Sequence, residues 1–176
     1  MKEIEIKILD ISKEEMIKKL SHLGAQNHGQ HFIIEKAFDF PSNSGMKING
    51  LLRLRKVDEK VELCYKQKIN GNENFKIEEE IETTVNDFDI TQKILLSIGL
   101  KEKRHREKKR TSFTLNNTKI EIDEYPKIPP YMEIEGTEEN IKSTLSLLGF
   151  TLEDTCTLTA TDVIKKCGEN HEFLVF

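Results

Sequence analysis

The sequence predicts an α+β fold in which about eight β-strands form a curved or closed sheet, with helices packed on its outside. Two observations support this prediction. Charged and aliphatic residues alternate in separate segments along the chain, which is typical of strands with one charged and one apolar face. Helical segments with apolar stripes interrupt those strands, and the stripes need an apolar surface to cover.

The alternation is clearest in segment 2–8. In a strand, its isoleucines point to one face, and Glu3, Glu5 and Lys7 point to the other. The pattern returns in segments 51–57, 61–69, 75–82, 103–113, 119–123 and 131–135, and a further strand is predicted for Phe32–Phe40.

Four helices are predicted, in segments 12–23, 87–98, 137–148 and 160–166. Ser12 and Glu15 have the spacing of a capping box, and a glycine follows each of the first three helices. No linker rich in glycine, proline or serine divides the chain, so we expect one domain over residues 1–176. Residues 151–176 are expected to form a C-terminal helix and a loose tail.

Composition excludes several classes of protein. No apolar run approaches the length of a membrane span, and three isolated cysteines without metal spacing suit a reduced, cytoplasmic protein. The basic run 101–110 would suit a nucleic-acid-binding patch, but it is interleaved with Glu102 and Glu107, and the sequence pI is about 5.8. We therefore do not expect a nucleic-acid partner.

The charged faces could meet solvent on one side of an open sheet, or face inward across a wet lumen. The order of the charges favours the lumen, because acids and bases each recur as same-face pairs, whereas a solvated face intersperses its signs. The acidic pairs are Glu3/Glu5, Glu80/Glu82 and Glu133/Glu135, and the basic pairs are Arg53/Arg55, Lys66/Lys68 and Lys108/Arg110. Because desolvating an ion costs several kcal/mol, such a lumen must be hydrated and must bind something highly charged.

These pairs point to a specific chemistry. Paired carboxylates supply the oxygen ligands that a hard divalent cation prefers. Paired arginines and lysines suit the oxygens of phosphate groups. Together they indicate a site for a metal-bound polyphosphate.

At this point the chain resembles a known family. Glu3-Ile4-Glu5-Ile6-Lys7 resembles the E-x-E-x-K signature of the CYTH domain, or triphosphate tunnel metalloenzymes. The resemblance continues in order through Leu52-Arg53-Leu54-Arg55, Glu62-Leu63-Cys64-Tyr65-Lys66, Glu79-Glu80-Ile81-Glu82, Lys108-Lys109-Arg110, Ile122-Asp123 and Tyr131-Met132-Glu133-Ile134-Glu135. It covers residues 1–150 and implies an eight-stranded antiparallel closed barrel, the triphosphate tunnel, with helices outside.

The resemblance also implies roles for individual residues. Mg²⁺ or Mn²⁺ would be held by Glu3, Glu5, Asp123, Glu133 and Glu135. The triphosphate would be bound by Lys7, Arg53, Arg55, Lys66, Lys108 and Arg110. Among the metal-binding and phosphate-binding residues, the catalytic ones would be Glu5, Lys7, Arg53 and Lys108. Glu80 and Glu82 would hold a second metal or orient basic residues, while Lys68, Arg104 and Arg106 are placed at the periphery.

The family resemblance leaves the reaction open. The similarity is greatest to the class IV adenylyl cyclases, which convert ATP to cyclic AMP and pyrophosphate. The alternatives are hydrolysis of tripolyphosphate, thiamine triphosphate or a nucleoside triphosphate, and a non-catalytic polyphosphate-binding module. A homodimer is common in the cyclase-like group.

Overall fold

A computed structural model describes residues 2–44, 48, 50–68 and 75–176. The strands are β1 (Lys2–Ile8), β2 (Gln26–Asp39), β3 (Leu51–Val57), β4 (Lys60–Lys68), β5 (Lys76–Val85), β6 (Lys101–Leu115), β7 (Thr118–Glu124), β8 (Tyr131–Glu135) and β9 (Phe173–Leu174). The helices are α1 (Lys13–His22), α2 (Phe88–Ser97), α3 (Glu138–Leu148) and α4 (Ala160–Lys166), with a 3-10 turn at Leu152–Asp154.

The first eight strands close into an antiparallel barrel. Their order around it is β2-β3-β4-β5-β1-β8-β7-β6, and β6 pairs again with β2. This seam is long, running from Gln26 opposite Thr114 to Asp39 opposite Lys101. The predicted α+β fold, with a closed eight-stranded barrel and helices outside, is confirmed. β2 begins earlier than predicted because β6 offers a backbone partner along this whole length.

The outer face of the barrel carries the main hydrophobic core. On β1, β7 and β8, Ile6, Ile120 and Ile134 are fully buried beneath α1 and α3. Leu20 of α1 and Ile141 of α3 supply the covering stripes and are also fully buried. Burial of apolar surface contributes about 25 cal/mol per Å², so the aliphatic half of each strand stabilises the barrel while leaving the charged half inside.

Local signals position these helices. The Ser12 hydroxyl accepts a hydrogen bond from the Glu15 amide at the start of α1, and Thr137 does the same for Asn140 at the start of α3. Gly149 ends α3 at φ 73°, a backbone conformation that few residues other than glycine adopt. On another part of the barrel, Leu95 of α2 packs over Leu54 and Val61.

The C-terminal segment contains the predicted helix, but its final residues do not form the loose tail that the sequence predicted. Cys156 forms two backbone hydrogen bonds with Lys7, of 2.8 and 2.9 Å. Lys7 needs this partner because the pairing of β1 with β5 ends at Glu5. β9 pairs in parallel with β6 at His105 and Arg106, where β7 no longer reaches. The segment is ordered because it supplies partners to strand edges that would otherwise lack them.

Helix α4 packs at one end of the barrel. Val163 and Ile164 are buried against Tyr125 and Tyr131, which follow or begin strands at that end. Throughout the described ranges, every helix is too short or too polar to cross a lipid bilayer.

Candidate functional site

A cavity of about 620 Å³ occupies the inside of the barrel. Most of its lining is charged. The basic lining residues are Lys7, Arg53, Arg55, Lys66, Arg104, Arg106, Lys108, Arg110 and Lys119, and the acidic ones are Glu5, Glu35, Glu78, Glu80, Glu82, Glu121, Glu133 and Glu135. The alternating pattern of the strands therefore converges on one internal space.

The predicted site residues mostly meet in this cavity. All six predicted phosphate-binding residues line it, as do Glu5, Glu133 and Glu135 of the predicted metal ligands and the Glu80/Glu82 pair. Asp123 lies in the barrel wall with no exposed surface. The side chains of Glu3 and Lys68 lie outside the described part of the structure. Arg104 and Arg106, placed at the periphery from the sequence, line the cavity.

Lys7 joins two of the acidic strands. Its side chain is 2% exposed, and its Nζ lies 2.9 Å from Glu5 Oε1 and 3.1 Å from Glu133 Oε1. Burial alone would lower the pKa of Lys7, but the carboxylates of Glu133 and Glu5 outweigh it and raise that pKa above its ordinary value. Lys7 therefore stays charged between them.

A buried ionic network ties β6 to β7 and β8. Arg110 donates from Nε to Asp123 Oδ1 at 2.5 Å and from Nη2 to Glu133 Oε2 at 2.7 Å, and it also donates to Glu121. Lys108 Nζ donates to Asp123 Oδ2 at 2.7 Å. Burial opposes ionisation of Glu133, but Lys7, Arg110 and Lys108 hold its pKa well below the ordinary value. Glu133 is thus a carboxylate even though only 13% of its side chain is exposed.

A group of carboxylates forms another part of the lining. Glu135 pairs with Glu5 across the β1–β8 ladder, and Glu121 pairs with Glu133 across the β7–β8 ladder. Burial is the main cause that raises the pKa of Glu135, and the negative charges of Glu121 and Glu5 raise it further. The positive charge of Lys119 opposes this effect without cancelling it. Crowded carboxylates of this kind are stabilised by a cation, and their oxygens fit the ligand preference of Mg²⁺ or Mn²⁺.

A second group of candidate ligands lies on β4 and β5. Cys64 Sγ and carboxylate oxygens of Glu80 and Glu82 lie within 4.8 Å of one another. The Cys64 thiol donates a hydrogen bond to Glu80 Oε1 at 2.7 Å. Burial raises the pKa of this thiol to about 12, and Glu80 adds to the effect, while the positive charge of Arg53 opposes it. The thiol is therefore protonated at neutral pH. Lys66 Nζ lies 2.7 Å from Glu80 Oε2 and competes for the same carboxylate.

The end of the cavity nearest α4 contains residues that the sequence patterns missed. Glu35 on β2 is 7% exposed, and despite burial the charges of Arg53, Lys108, Arg104 and Arg106 lower its pKa to about 2. Thr159 and Thr161 also line this end. Glu35 was not predicted as a site residue because Lys36, the next residue in the strand, is also charged, so the alternation does not single out one face. Lys36 points to the opposite face and contacts Gln92 and Glu102 outside the barrel.

The comparisons with known proteins agree with this geometry. The model of the CYTH domain family matches residues 1–149. The chain belongs to the CYTH family. CYTH proteins are metal-dependent enzymes that act on triphosphates. The resemblance proposed from the sequence motifs is confirmed. The comparison with curated proteins finds no match.

Solved CYTH-like structures share the fold. The PH1012 protein of Pyrococcus horikoshii OT3 is 26% identical, with a TM-score of 0.73, over 87% of this chain and 93% of that one. A candidate adenylate cyclase of Vibrio parahaemolyticus is 13% identical, with a TM-score of 0.77, over 93% and 97% of the two chains. A candidate adenylyl cyclase of Hippeastrum, HpAC1, described as having a dominant triphosphatase activity, is 19% identical, with a TM-score of 0.70, over 96% and 97%.

Proposed function

We propose that this CYTH protein is a divalent-metal-dependent enzyme that acts on a triphosphate compound inside the barrel. The observation that carries the proposal is the meeting of two charge sets in one cavity. Arginines and lysines that suit phosphate oxygens line the same space as Glu5, Glu133 and Glu135, which suit a hard cation. A passive phosphate-binding site would need carboxylates only as partners for its cations, and not Glu5 and Glu135 placed opposite each other across the β1–β8 ladder.

In this proposal the protein positions and neutralises its substrate. Lys7, Arg53, Arg55, Lys66, Lys108 and Arg110 bind the phosphate oxygens, and Lys7 also holds Glu5 and Glu133 in place. Glu5, Glu133 and Glu135, with Glu3 from the same strand as Glu5, hold Mg²⁺ or Mn²⁺. Asp123 orients Lys108 and Arg110. The bound metal supplies charge neutralisation at the phosphate, which is the main requirement of phosphoryl and nucleotidyl transfer.

The reaction we propose first is that of a class IV adenylyl cyclase. The ribose 3′-oxygen of ATP bonds to the α-phosphorus, and its proton passes to water. The bond from that phosphorus to the oxygen that bridges it to the β-phosphorus breaks, and pyrophosphate leaves. The likeness of the fold to the Vibrio parahaemolyticus candidate adenylate cyclase supports this assignment.

Hydrolysis of a triphosphate is the second candidate, and one feature of the cavity favours it. Tyr125 is the one aromatic side chain among the described lining residues, and it is buried and stacked with Tyr131, with ring centroids 6.2 Å apart. That leaves little aromatic surface for a nucleobase. The Hippeastrum protein of similar fold, with its dominant triphosphatase activity, supports the same alternative.

Product analysis tests the proposal. The purified protein is incubated with ATP, tripolyphosphate or thiamine triphosphate, each with Mg²⁺ or Mn²⁺. Cyclic AMP with pyrophosphate identifies the cyclase, and orthophosphate identifies the hydrolase. Absence of turnover for all three substrates with both metals would contradict the enzyme assignment and leave a polyphosphate-binding module.

A further inference from the structure

A second cavity, of about 210 Å³, lies at the end of the barrel where α4 packs. Its apolar walls come from three distant parts of the chain, namely Leu9 after β1, Pro129 before β8 and Val163 of α4. Within the described ranges, none of its lining residues also lines the main cavity inside the barrel. The second cavity is therefore a space of its own and not an extension of the site described above.

Two stacked tyrosines separate the two cavities. Tyr125 lines the main cavity, and Tyr131 lines the second one. Both side chains are buried, and their rings lie nearly parallel, at 15° with centroids 6.2 Å apart. The two rings form a wall, so a ligand on the Tyr131 side is kept away from the phosphate-binding side chains.

The hydroxyl of Tyr131 is a buried donor without an acceptor. The residue is 1% exposed, and its Oη has no hydrogen-bond partner in the part of the chain that the structure describes. Burial is the main cause that raises the pKa of Tyr131 well above its ordinary value, so the phenol keeps its proton. A buried hydroxyl left unpaired destabilises the protein. Because Tyr131 lines the second cavity and not the main one, that cavity is where a ligand can supply the missing acceptor.

The charges around the second cavity balance. Asp10 and Lys166 line it, and both are exposed to solvent and opposite in sign. Cys167, a further lining residue, is exposed as well. A ligand of either sign would meet one attractive and one repulsive charge, and its own charge would lose hydration against the apolar walls. The lining therefore favours an uncharged ligand.

The volume of the second cavity limits the size of that ligand. An apolar cavity of about 150 Å³ is large enough to bind benzene. At about 210 Å³, the second cavity has room for a single ring of that size with a small substituent. A carbonyl oxygen is an uncharged acceptor, which is what the Tyr131 hydroxyl lacks.

We propose that the second cavity is a binding site for small, uncharged ring compounds that carry a carbonyl group, such as aromatic carboxamides or ketones. The ring packs against Leu9, Pro129 and Val163, and the carbonyl oxygen accepts a hydrogen bond from Tyr131 Oη. This site is separate from the triphosphate site, and the inference does not depend on the reaction proposed above.

Protection of Cys167 from alkylation tests the site, with benzamide as the probe. The native protein is treated with iodoacetamide in the presence and absence of benzamide, and labelling of each cysteine is followed by peptide mass spectrometry. Because only the unliganded form reacts, benzamide at about ten times its Kd should slow labelling of Cys167 by about tenfold. Cys156 is the internal control, since it is half-buried and lines neither cavity, and its labelling rate should not change.

Calorimetric titration supplies the Kd and tests each part of the proposal. Benzoate has nearly the shape of benzamide but carries a charge, so it should bind at least about tenfold more weakly. Tyr131→Phe removes the hydroxyl and should weaken benzamide binding by about tenfold. Tyr125→Phe is the matched control, because it removes the neighbouring hydroxyl on the main-cavity side and should leave the affinity unchanged. Cys167→Trp fills the second cavity from an exposed position and should abolish binding without lowering the melting temperature.

Several results would overturn the site. They are wild-type protein that neither binds benzamide nor shows protection of Cys167, equal benzamide affinity in Tyr131→Phe and the wild type, and unchanged affinity in Cys167→Trp. A loss in Tyr125→Phe as large as in Tyr131→Phe would place the ligand in the main cavity and would also overturn it. Benzoate that binds as tightly as benzamide would contradict the restriction to uncharged ligands. If Tyr131→Phe does not fold, the titration of Cys167→Trp still decides the question.

Discussion

Lys7 and Arg110 explain how carboxylates can stay ionised inside this barrel. Each of these two side chains contacts at least two acidic residues. Glu133 contacts both of them, with its Oε1 3.1 Å from Lys7 Nζ and its Oε2 2.7 Å from Arg110 Nη2. A buried charge without such partners would be strongly destabilising. The charged residues therefore stabilise one another in the folded protein while still presenting oxygens and N–H groups to the cavity.

Glu133→Ala and Arg53→Ala should affect catalysis differently. Glu133→Ala removes a proposed metal ligand, so we expect loss of metal-dependent turnover by at least about a hundredfold. Arg53→Ala removes phosphate contacts, and its main effect should be a rise of about tenfold or more in KM. Steady-state kinetics over a range of Mg²⁺ concentrations separates the two. If Glu133→Ala left turnover intact, Glu133 would not be a metal ligand; a wild type without turnover, whose polyphosphate binding tightened in Glu133→Ala, would be a passive binder.

Glu35 should make folding stability depend on pH. Because its pKa is about 2 in the folded protein against an ordinary 4.5, the folded state favours the ionised form. This contribution, about 3 kcal/mol, is complete above pH 4.5 and is lost as the pH falls from 4.5 toward 2. Urea unfolding across that range should show a smaller loss of stability in Glu35→Gln than in the wild type. Identical pH profiles would contradict the assigned role of the carboxylate.

Single residues also mark the limit of sequence interpretation. Same-face charge pairs such as Arg53/Arg55 identified most of the cavity lining, because strand parity fixes which side chains share a face. Glu35 and Thr161 were not identified. Glu35 lies next to Lys36, so parity gave no preferred face, and Thr161 belongs to a helix whose position depends on contacts far away in the chain.

At the level of elements, β1 to β8 and α1 to α4 were all predicted, with differences at their ends. Alternation and helix caps are local signals and were sufficient for this. β9 was not predicted, because Phe173 and Leu174 form a strand only through pairing with His105 and Arg106. The position of α4 was also missed, since it depends on the side chains of Tyr125 and Tyr131 at the barrel end.

Helix α4 should contribute substantially to stability despite its short length. Ile164 is fully buried against these tyrosines, so Ile164→Ala should lower the free energy of unfolding by about 2–5 kcal/mol. Leu147→Ala is the control, because Leu147 is 43% exposed on α3, and it should cost less than about 1 kcal/mol. Chemical denaturation measures both. Equal, small effects would mean that α4 does not pack stably on the barrel.

At the scale of the whole molecule, barrel closure brings together charges that are far apart in the chain. Lys7 of β1 contacts Glu133 of β8, and Arg110 of β6 contacts Asp123 of β7. The seam between β2 and β6 adds Glu35 beside Arg106. An open sheet would have left these faces in solvent, where exposed ion pairs contribute little. Closure converts them into one concentrated binding site.

The most direct test of this account is a crystal structure of the protein with Mn²⁺ and tripolyphosphate, with the metal located by its anomalous scattering. We predict a Mn²⁺ peak inside the barrel at the carboxylates of Glu5, Glu133 and Glu135, with the phosphate chain on the cavity arginines and lysines. Metal and phosphate bound only on the outer surface, with the cavity filled by water, would contradict the account.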